Sequence, residues 1–256
     1  MSEQLVRTEF DGGIYTVTLN RPAKRNAVSD RLLVALDEAI SATPEGTRVI
    51  VLTGEGQHFC AGLDLAEHQH REPFGVMQHS QSWHRIFHRI QHGGIPVIAA
   101  LHGAVIGGGL ELAAATHIRV AEPSTIYQLP EGRHGIFVGG GASVRVAKLI
   151  GPGRMCEMML TGRILDADEG QRLGLSHYRV EAGAASAKAR ELAQRVAENA
   201  PMANWAMCSA IARIDNMASD DGLFVESLTA ALTQTSPEVA ERIGEFLKRK
   251  GQGPRT

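Results

Sequence analysis

Two glutamates, Glu111 and Glu131, each stand beside a run of glycines. The first ends the segment His102-Gly103-Ala104-Val105-Ile106-Gly107-Gly108-Gly109-Leu110-Glu111, which reads as a strand running through three glycines into a helix. Without Cβ atoms, that turn lets a ligand lie against the backbone. The free N–H groups of the helix start point outward, and the dipole there favours negative charge, so a developing oxyanion would be stabilised. The plainer reading is tight packing of a helix on a strand. Glu111 falls in the first turn of that helix. It serves either as a capping carboxylate or as a general base beside an oxyanion hole. Glu131 lies in Leu129-Pro130-Glu131-Gly132, ahead of Gly139-Gly140-Gly141. Pro130 removes a ladder hydrogen bond, so a strand should stop there and present Glu131 at its end. Taken alone, it reads as an exposed turn glutamate. Two carboxylates, each next to a glycine-rich helix entry, fit a site that adds or moves protons on a small acyl group. A third piece is His58-Phe59-Cys60-Ala61-Gly62-Leu63-Asp64-Leu65. Ala61-Gly62 allows a sharp turn that aims the Leu63 N–H into a cleft, and two such N–H groups from separate loops complete an oxyanion hole. Asp64 is placed to cap the following turn.

The elements that must carry these pieces alternate in type. Residues 14–19 alternate and are β-branched, which reads as a strand ended by Asn20-Arg21-Pro22. Asp30 is expected to cap a helix with Leu32, Leu33, Leu36 and Ile40 on one face. Residues 49–52 and 96–101 are short, all-apolar runs, the mark of strands buried on both faces. A helix is predicted between them over 77–92. Residues 118–120 and 125–128 read as strands around a turn at Glu122-Pro123. From Gly141 the pattern is mostly helical, with apolar stripes over 184–199, 203–215, 221–234 and 238–249 and with Pro201 and Pro237 near two starts. Strands alternating with helices, then a helical tail, describe an α/β core followed by a helical segment.

Composition narrows the function. The chain has 256 residues, 43% hydrophobic and 21% charged, which is ordinary globular usage. Lys+Arg is 26 and Asp+Glu is 28, so no basic excess points to nucleic acid. Cys60, Cys156 and Cys208 are too far apart for zinc spacing or a disulfide framework and suit a reducing cytoplasm. No apolar run approaches the ~20 residues of a membrane span, and the first ten residues lack an apolar signal core.

Other features read more plainly. His84, His88 and His92 fall at i, i+4, i+8, with His68 and His70 nearby. No H-E-x-x-H accompanies them, and the segment reads as a solvated face rather than a metal site. Residues 139–141 lack the pattern of a dinucleotide-binding loop. Cys60 has no histidine partner and reads as a small buried residue. Trp83 and Trp205 read as core or subunit contacts. His134 reads as a loop histidine that could face the site, and Lys248-Arg249-Lys250 as a solvated helix end.

Together, Asn20-Arg21-Pro22 with Asn26-Ala27, Ala61 through Leu65, Gly107 through Leu112, and Pro130-Glu131 with Gly135 resemble the crotonase family, the enoyl-CoA hydratase/isomerase superfamily. The likeness runs from about Ile14 to about Lys250. It implies an α/β fold with a spiral of ββα units over residues 1–195. It also implies a helical region over 196–256 that builds trimers, often paired into hexamers. The implied substrate is an acyl-CoA thioester, with coenzyme A as part of the substrate and neither a resident cofactor nor a metal. Residue by residue, Leu63 and Gly108 match the oxyanion donors, and Glu111 and Glu131 match the acid/base pair of the hydratases. Arg25, Ala27, Ala61, Leu63, Asp64 and Leu65 match segments along the CoA path, with Gly107, Gly108 and Gly139 in the same substrate-binding set. Phe246 and Arg249 resemble positions that reach a neighbour's adenine.

With both glutamates present, the resemblance implies hydration of a short 2-enoyl-CoA. Two departures affect the acyl pocket: the loop that usually carries Pro-Gly reads Ile136-Phe137-Val138-Gly139-Gly140-Gly141-Ala142, and Leu63 stands where many hydratases have Ala. The stretches Leu129–Gly141, His58–Leu65 and Asn204–Ala206 look most like the branch acting on 3-methylthioacryloyl-CoA. There, hydration is followed by methanethiol release and thioester cleavage to acetaldehyde, CO2 and CoA. A generic short-chain hydratase is the alternative. A non-catalytic CoA- or RNA-binding homologue is the alternative of another class, against which the near-neutral charge and the intact glutamate pair argue.

Overall fold

The computed structural model describes residues 4–66 and 71–251. The strands are β1 Val6–Asp11, β2 Ile14–Leu19, β3 Val49–Gly54, β4 Val97–Leu101, β5 Ala104–Ile106, β6 Ile118–Ala121, β7 Ile126–Gln128 and β8 Tyr178–Arg179. The helices are α1 Asp30–Ser41, α2 Pro73–His92, α3 Gly108–Ala114, α4 Ala142–Ile150, α5 Pro152–Thr161, α6 Ala167–Leu173, α7 Ala185–Ala197, α8 Pro201–Ile214, α9 Ser219–Gln234 and α10 Pro237–Gly251.

Six strands form one sheet in the order β1-β2-β3-β4-β6-β8, parallel except for the β1–β2 hairpin. A second, smaller sheet pairs β5 with β7 in parallel. The chain crosses from the large sheet to the small one at each turn of a coil: β4 leads into β5, and β6 into β7. The segment after β3 joins the same stack, because Cys60 bridges Val105 of β5. This is the expected α/β spiral of strand pairs and helices.

The all-apolar strands are buried on both faces, as their sequences require. Ile14, Val49, Val51, Ile98 and Val120 turn toward Ala185, Ala189, Leu192 and Ala193 of α7. Val17, Leu19, Ile50, Leu52 and Leu101 face the main core with α1, α2 and the small sheet. The alanines let α7 approach the sheet closely.

Several expectations shift at their edges. Ser29, not Asp30, caps α1, accepting a hydrogen bond from the Leu32 N–H at 3.2 Å. Helix α2 begins four residues before the expected 77, with Pro73 in its first turn where a missing N–H costs nothing. Pro201 and Pro237 likewise open α8 and α10. Among the described residues, no helix is long and apolar enough to cross a membrane.

Candidate active site

The register of the small sheet sets the site. Val105 is paired with Cys60 on one side and with Tyr127 on the other. Leu63 follows Cys60 by three residues, and Gly108 follows Val105 by three. Glu131 follows Tyr127 by four. Three turns of the coil therefore deliver these groups to one end of the same small sheet.

The bridge of Leu63 with Val28 leaves its N–H unspent. The Val28 N–H donates to the Gly62 carbonyl at 2.7 Å, and the Asp64 N–H donates to the Val28 carbonyl at 3.0 Å. Neither bond uses Leu63, whose N–H faces the other way. Gly108 is the first residue of α3, where the N–H has no partner within the helix. The two groups are neighbours: a Cβ at Gly108 would lie 3.6 Å from Leu63 N. Glycine is required around them. Gly62 has φ +91°, and a Cβ there would meet the Ile106 carbonyl oxygen at 2.6 Å. Gly107 has φ +50°, and a Cβ there would meet Glu131 Oε1 at 2.9 Å. Two N–H groups so placed can cradle an oxygen that gains charge.

Both glutamates are buried, at 4% and 7% relative exposure for Glu111 and Glu131, so neither is an ordinary surface or turn carboxylate. Glu111 does not cap its own helix. Its Oε1 accepts from the N–H groups of Gly140 at 2.8 Å and Ala142 at 3.0 Å, at the entry to α4. Burial raises its pKa above the ordinary carboxylate range, and those N–H groups together with the Arg145 charge offset only part of that rise. Glu131 opens a short 3-10 turn, Glu131–His134, rather than ending a strand. Its Oε2 is buried with no hydrogen-bond partner among the described residues. Burial, with the Glu111 charge adding to it, pushes Glu131 up to about 7. Both carboxyls are shifted upward by burial, but their partners differ: Glu111 Oε1 accepts from two N–H groups, whereas Glu131 Oε2 has no partner among the described residues. Such a difference lets a pair divide base and acid work.

These groups open onto a mostly apolar cavity of about 200 Å³. Ala61, Gly62, Leu63, Leu65, Gly107, Gly108, Gly139, Glu111 and Glu131 all line it. Val76, Ser80 and Trp83 form a wall along one face of α2. Trp83 is a core residue, as expected, and also a wall of the site. Its ring edge packs on Gly108, where a Cβ would come within 2.7 Å. Its Nε1 donates to His79 Nε2 at 3.2 Å. His134 also lines the cavity.

Arg25, Ala27 and Asp64 do not line this cavity. Arg25 is exposed, with a left-handed backbone (φ 51°), and its carbonyl accepts from the Ala61 N–H at 3.0 Å. Ala27 is half-buried beside it. Asp64 is buried and pairs with Arg21 at 2.5 Å, while its Oδ1 accepts from the Ala66 N–H, the capping role expected of it. The Asn26 side chain, which sequence reasoning left without a role, ties the loops together. Its Nδ2 donates to the carbonyls of Glu55 at 3.0 Å and His58 at 2.7 Å. Cys60 is fully buried, and burial pushes its thiol up to about 12, so it is no nucleophile at neutral pH.

His84 and His88 are exposed on α2, as a solvated face requires, whereas His92 is half-buried, with a buried Nδ1 that has no hydrogen-bond partner among the described residues and a ring tilted against His88 at 4.5 Å between centroids. His68 and His70 lie outside the described residues. The side chains of Phe246 and Arg249 likewise lie outside what the structure describes.

Residues 9–251 match the family described as enoyl-CoA hydratase/isomerase. A crystal structure from Rhodopseudomonas palustris CGA009 superposes with a TM-score of 0.94 at 50% identity, covering 96% of both chains. The short-chain-enoyl-CoA hydratase of Clostridium acetobutylicum is 30% identical, over 96% of this chain and 95% of its own. The 2,3-dehydroadipyl-CoA hydratase of Escherichia coli is also 30% identical, over 98% of this chain and 97% of its own. The chain belongs to the enoyl-CoA hydratase/isomerase family.

Proposed function

We propose that this protein adds water across the C2–C3 double bond of a short 2-enoyl-CoA thioester. The observation that carries the reading is the pair of buried carboxyls, Glu111 and Glu131, beside the neighbouring N–H groups of Leu63 and Gly108. The thioester oxygen sits between those two N–H groups. Glu111, whose carboxylate accepts the Gly140 and Ala142 N–H groups, takes a proton from a water placed between the carboxyls. The water oxygen bonds to C3, and the π electrons move toward the thioester oxygen. Glu131 delivers its proton to C2. The oxyanion cradle stabilises the enolate-like state. CoA lies along Ala61 to Leu65, with Arg25 and Ala27 toward its nucleotide end. The chemistry is acid–base catalysis by the chain's own groups.

For the acyl group we propose 3-methylthioacryloyl-CoA. The loop from Gly135 to Gly141 and the small cavity walled by Trp83 support it. Addition at C3 gives a hemithioacetal, which releases methanethiol and leaves an aldehyde. A second water cleaves the thioester to free CoA, and the 3-oxo acid loses CO2 to give acetaldehyde. The competing substrate is an ordinary short enoyl-CoA, favoured by the activity named for the Clostridium acetobutylicum relative. Offering 3-methylthioacryloyl-CoA and crotonyl-CoA side by side decides between them. Fast methanethiol release with slower crotonyl-CoA hydration is the expected result. Hydration of crotonyl-CoA with poor thiol release gives the ordinary hydratase, and turnover of neither overturns the reading.

We further propose a trimer or a dimer of trimers. Leu223, Phe224, Leu228 and Leu232 of α9 are each more than half exposed, an apolar stripe that assembly would cover.

A further inference from the structure

Behind the Gly139–Gly141 loop, on the side away from the cavity, lies Arg145 of α4. Its Nε donates to Gln91 Oε1 of α2 at 2.7 Å, and its Nη1 donates to the Gly140 carbonyl at 3.1 Å. The N–H of the same Gly140 residue donates to Glu111 Oε1 at 2.8 Å. A chain of contacts therefore runs from Gln91 through Arg145 and Gly140 to Glu111. We infer that Arg145 is a positioning residue for Glu111, fixing the Gly140 segment so that its N–H meets the carboxylate; this rests on the reading of Glu111 as the base.

The physics favours this assignment over simple packing. Gly140 has no side chain to anchor it, and Val138 to Gly141 form an irregular segment between the 3-10 turn and α4. A guanidinium with two fixed donors holds such a segment in one geometry. Its charge also opposes the burial that would neutralise Glu111. The groups around the pair are few. Glu131 of the 3-10 turn faces Glu111, and Phe87 of α2 abuts the adjoining Gly140. Arg145 shares its outer cavity with His84, His88 and His92 of α2 and with Lys148 of α4. The Arg213 charge reaches His88 and His92, and Asp215 pairs with Lys148. Gln91 fixes the guanidinium from α2 without adding charge.

The test compares wild type with Arg145→Met, Arg145→Lys and Gln91→Leu. In Arg145→Met, we expect kcat for enoyl-CoA hydration to fall by ~10²-fold, the loss typical of a misplaced catalytic group, with KM within ~3-fold. The acid limb of kcat/KM should move to higher pH, since removing a positive charge raises the pKa of Glu111. Arg145→Lys should restore part of both effects, and Gln91→Leu should show a smaller loss. Infrared spectra of isotope-labelled glutamate give a readout independent of turnover. The acid C=O band that Glu111→Gln removes should persist to higher pH in Arg145→Met. A lower melting temperature with unchanged kcat, acid limb and infrared titration would overturn the inference. If Arg145→Met does not fold, Gln91→Leu and Arg145→Lys carry the same comparison, and wild-type kinetics in both overturn it. A wild type that hydrates no enoyl-CoA overturns the hydratase reading instead, while the infrared titration still judges the Arg145–Glu111 link.

Discussion

Leu63 N lies 3.6 Å from where a Cβ on Gly108 would stand, so the two backbone N–H groups flank one small space. They come from different turns of the coil, and the bridge between Cys60 and Val105 locks them together.

That space tolerates no side chain. In Gly108→Val, the new atoms meet the Trp83 ring, 2.7 Å from the Cβ position. They also crowd the oxygen's seat. Turnover should fall by ~10²–10³-fold, the loss typical of one oxyanion donor. Calorimetry with free CoA should show binding within a few-fold of wild type, because the proposed nucleotide path, at Arg25 and Ala27, lies outside this space. Near-normal turnover would remove Gly108 from the site.

As the proposed acid, Glu131 should set the basic limb of the activity profile. Its carboxyl is held up to about 7, so the acid is lost as pH rises past that value. In the free enzyme, kcat/KM should decline above pH ~7 with a slope of one proton. Glu131→Gln should remove most activity at every pH. A profile flat from pH 6 to ~9 in wild type would contradict an acid role for Glu131.

The same carboxyl makes a prediction about stability. Its pKa is raised from 4.5 to about 7 in the fold, so the fold favours its neutral form. That contribution is whole below pH 4.5 and is lost as pH rises through about 7. Glu131→Gln, neutral at every pH, should therefore be more stable than wild type at pH ~8, by on the order of 2–3 kcal/mol. Near pH ~4 the two should match. Urea titrations at both pH values check it, and equal differences at both would refute it.

Trp83 should limit the acyl chain. It is 5% exposed, lines the cavity and is braced by His79 and by an edge contact with Phe87 at 5.5 Å. Trp83→Ala should shift the preferred enoyl-CoA toward longer acyl chains, since deleting the ring opens apolar space. A chain-length series of enoyl-CoAs would show the optimum move, and an unmoved optimum would place the limit elsewhere.

Much of this was legible in the residues. The buried strands announced themselves as short apolar runs, and the glycines marked where backbone approaches backbone. Strand β1 was not legible: of its six residues only Val6 is buried, and an exposed edge strand carries little apolar signal. Glu111 and Glu131 were visible as types beside glycines, but their environments were not. The N–H groups that hold Glu111 come from Gly140 and Ala142, about thirty positions away. The Arg21–Asp64 pair spans 43 positions and leaves no local pattern. Arg145 reads in sequence as one charge on an amphipathic helix, and only its inward reach to Gly140 gives it meaning. Val76, Ser80 and Trp83 do share a helical face, so the α2 wall of the cavity could have been found by periodicity.

The division of the site among three turns of the coil has a dynamic consequence. Leu63, Gly108 and Glu131 each hang from a different rung, and the rungs are joined by backbone hydrogen bonds such as Cys60 N–H to Ala104 O at 2.9 Å and Ile106 N–H to Cys60 O at 3.1 Å. No rung can open alone without pulling the cradle apart. The three rungs should therefore open together with the small sheet, and the amides of Cys60 and Ile106 should exchange with solvent as one cooperative unit.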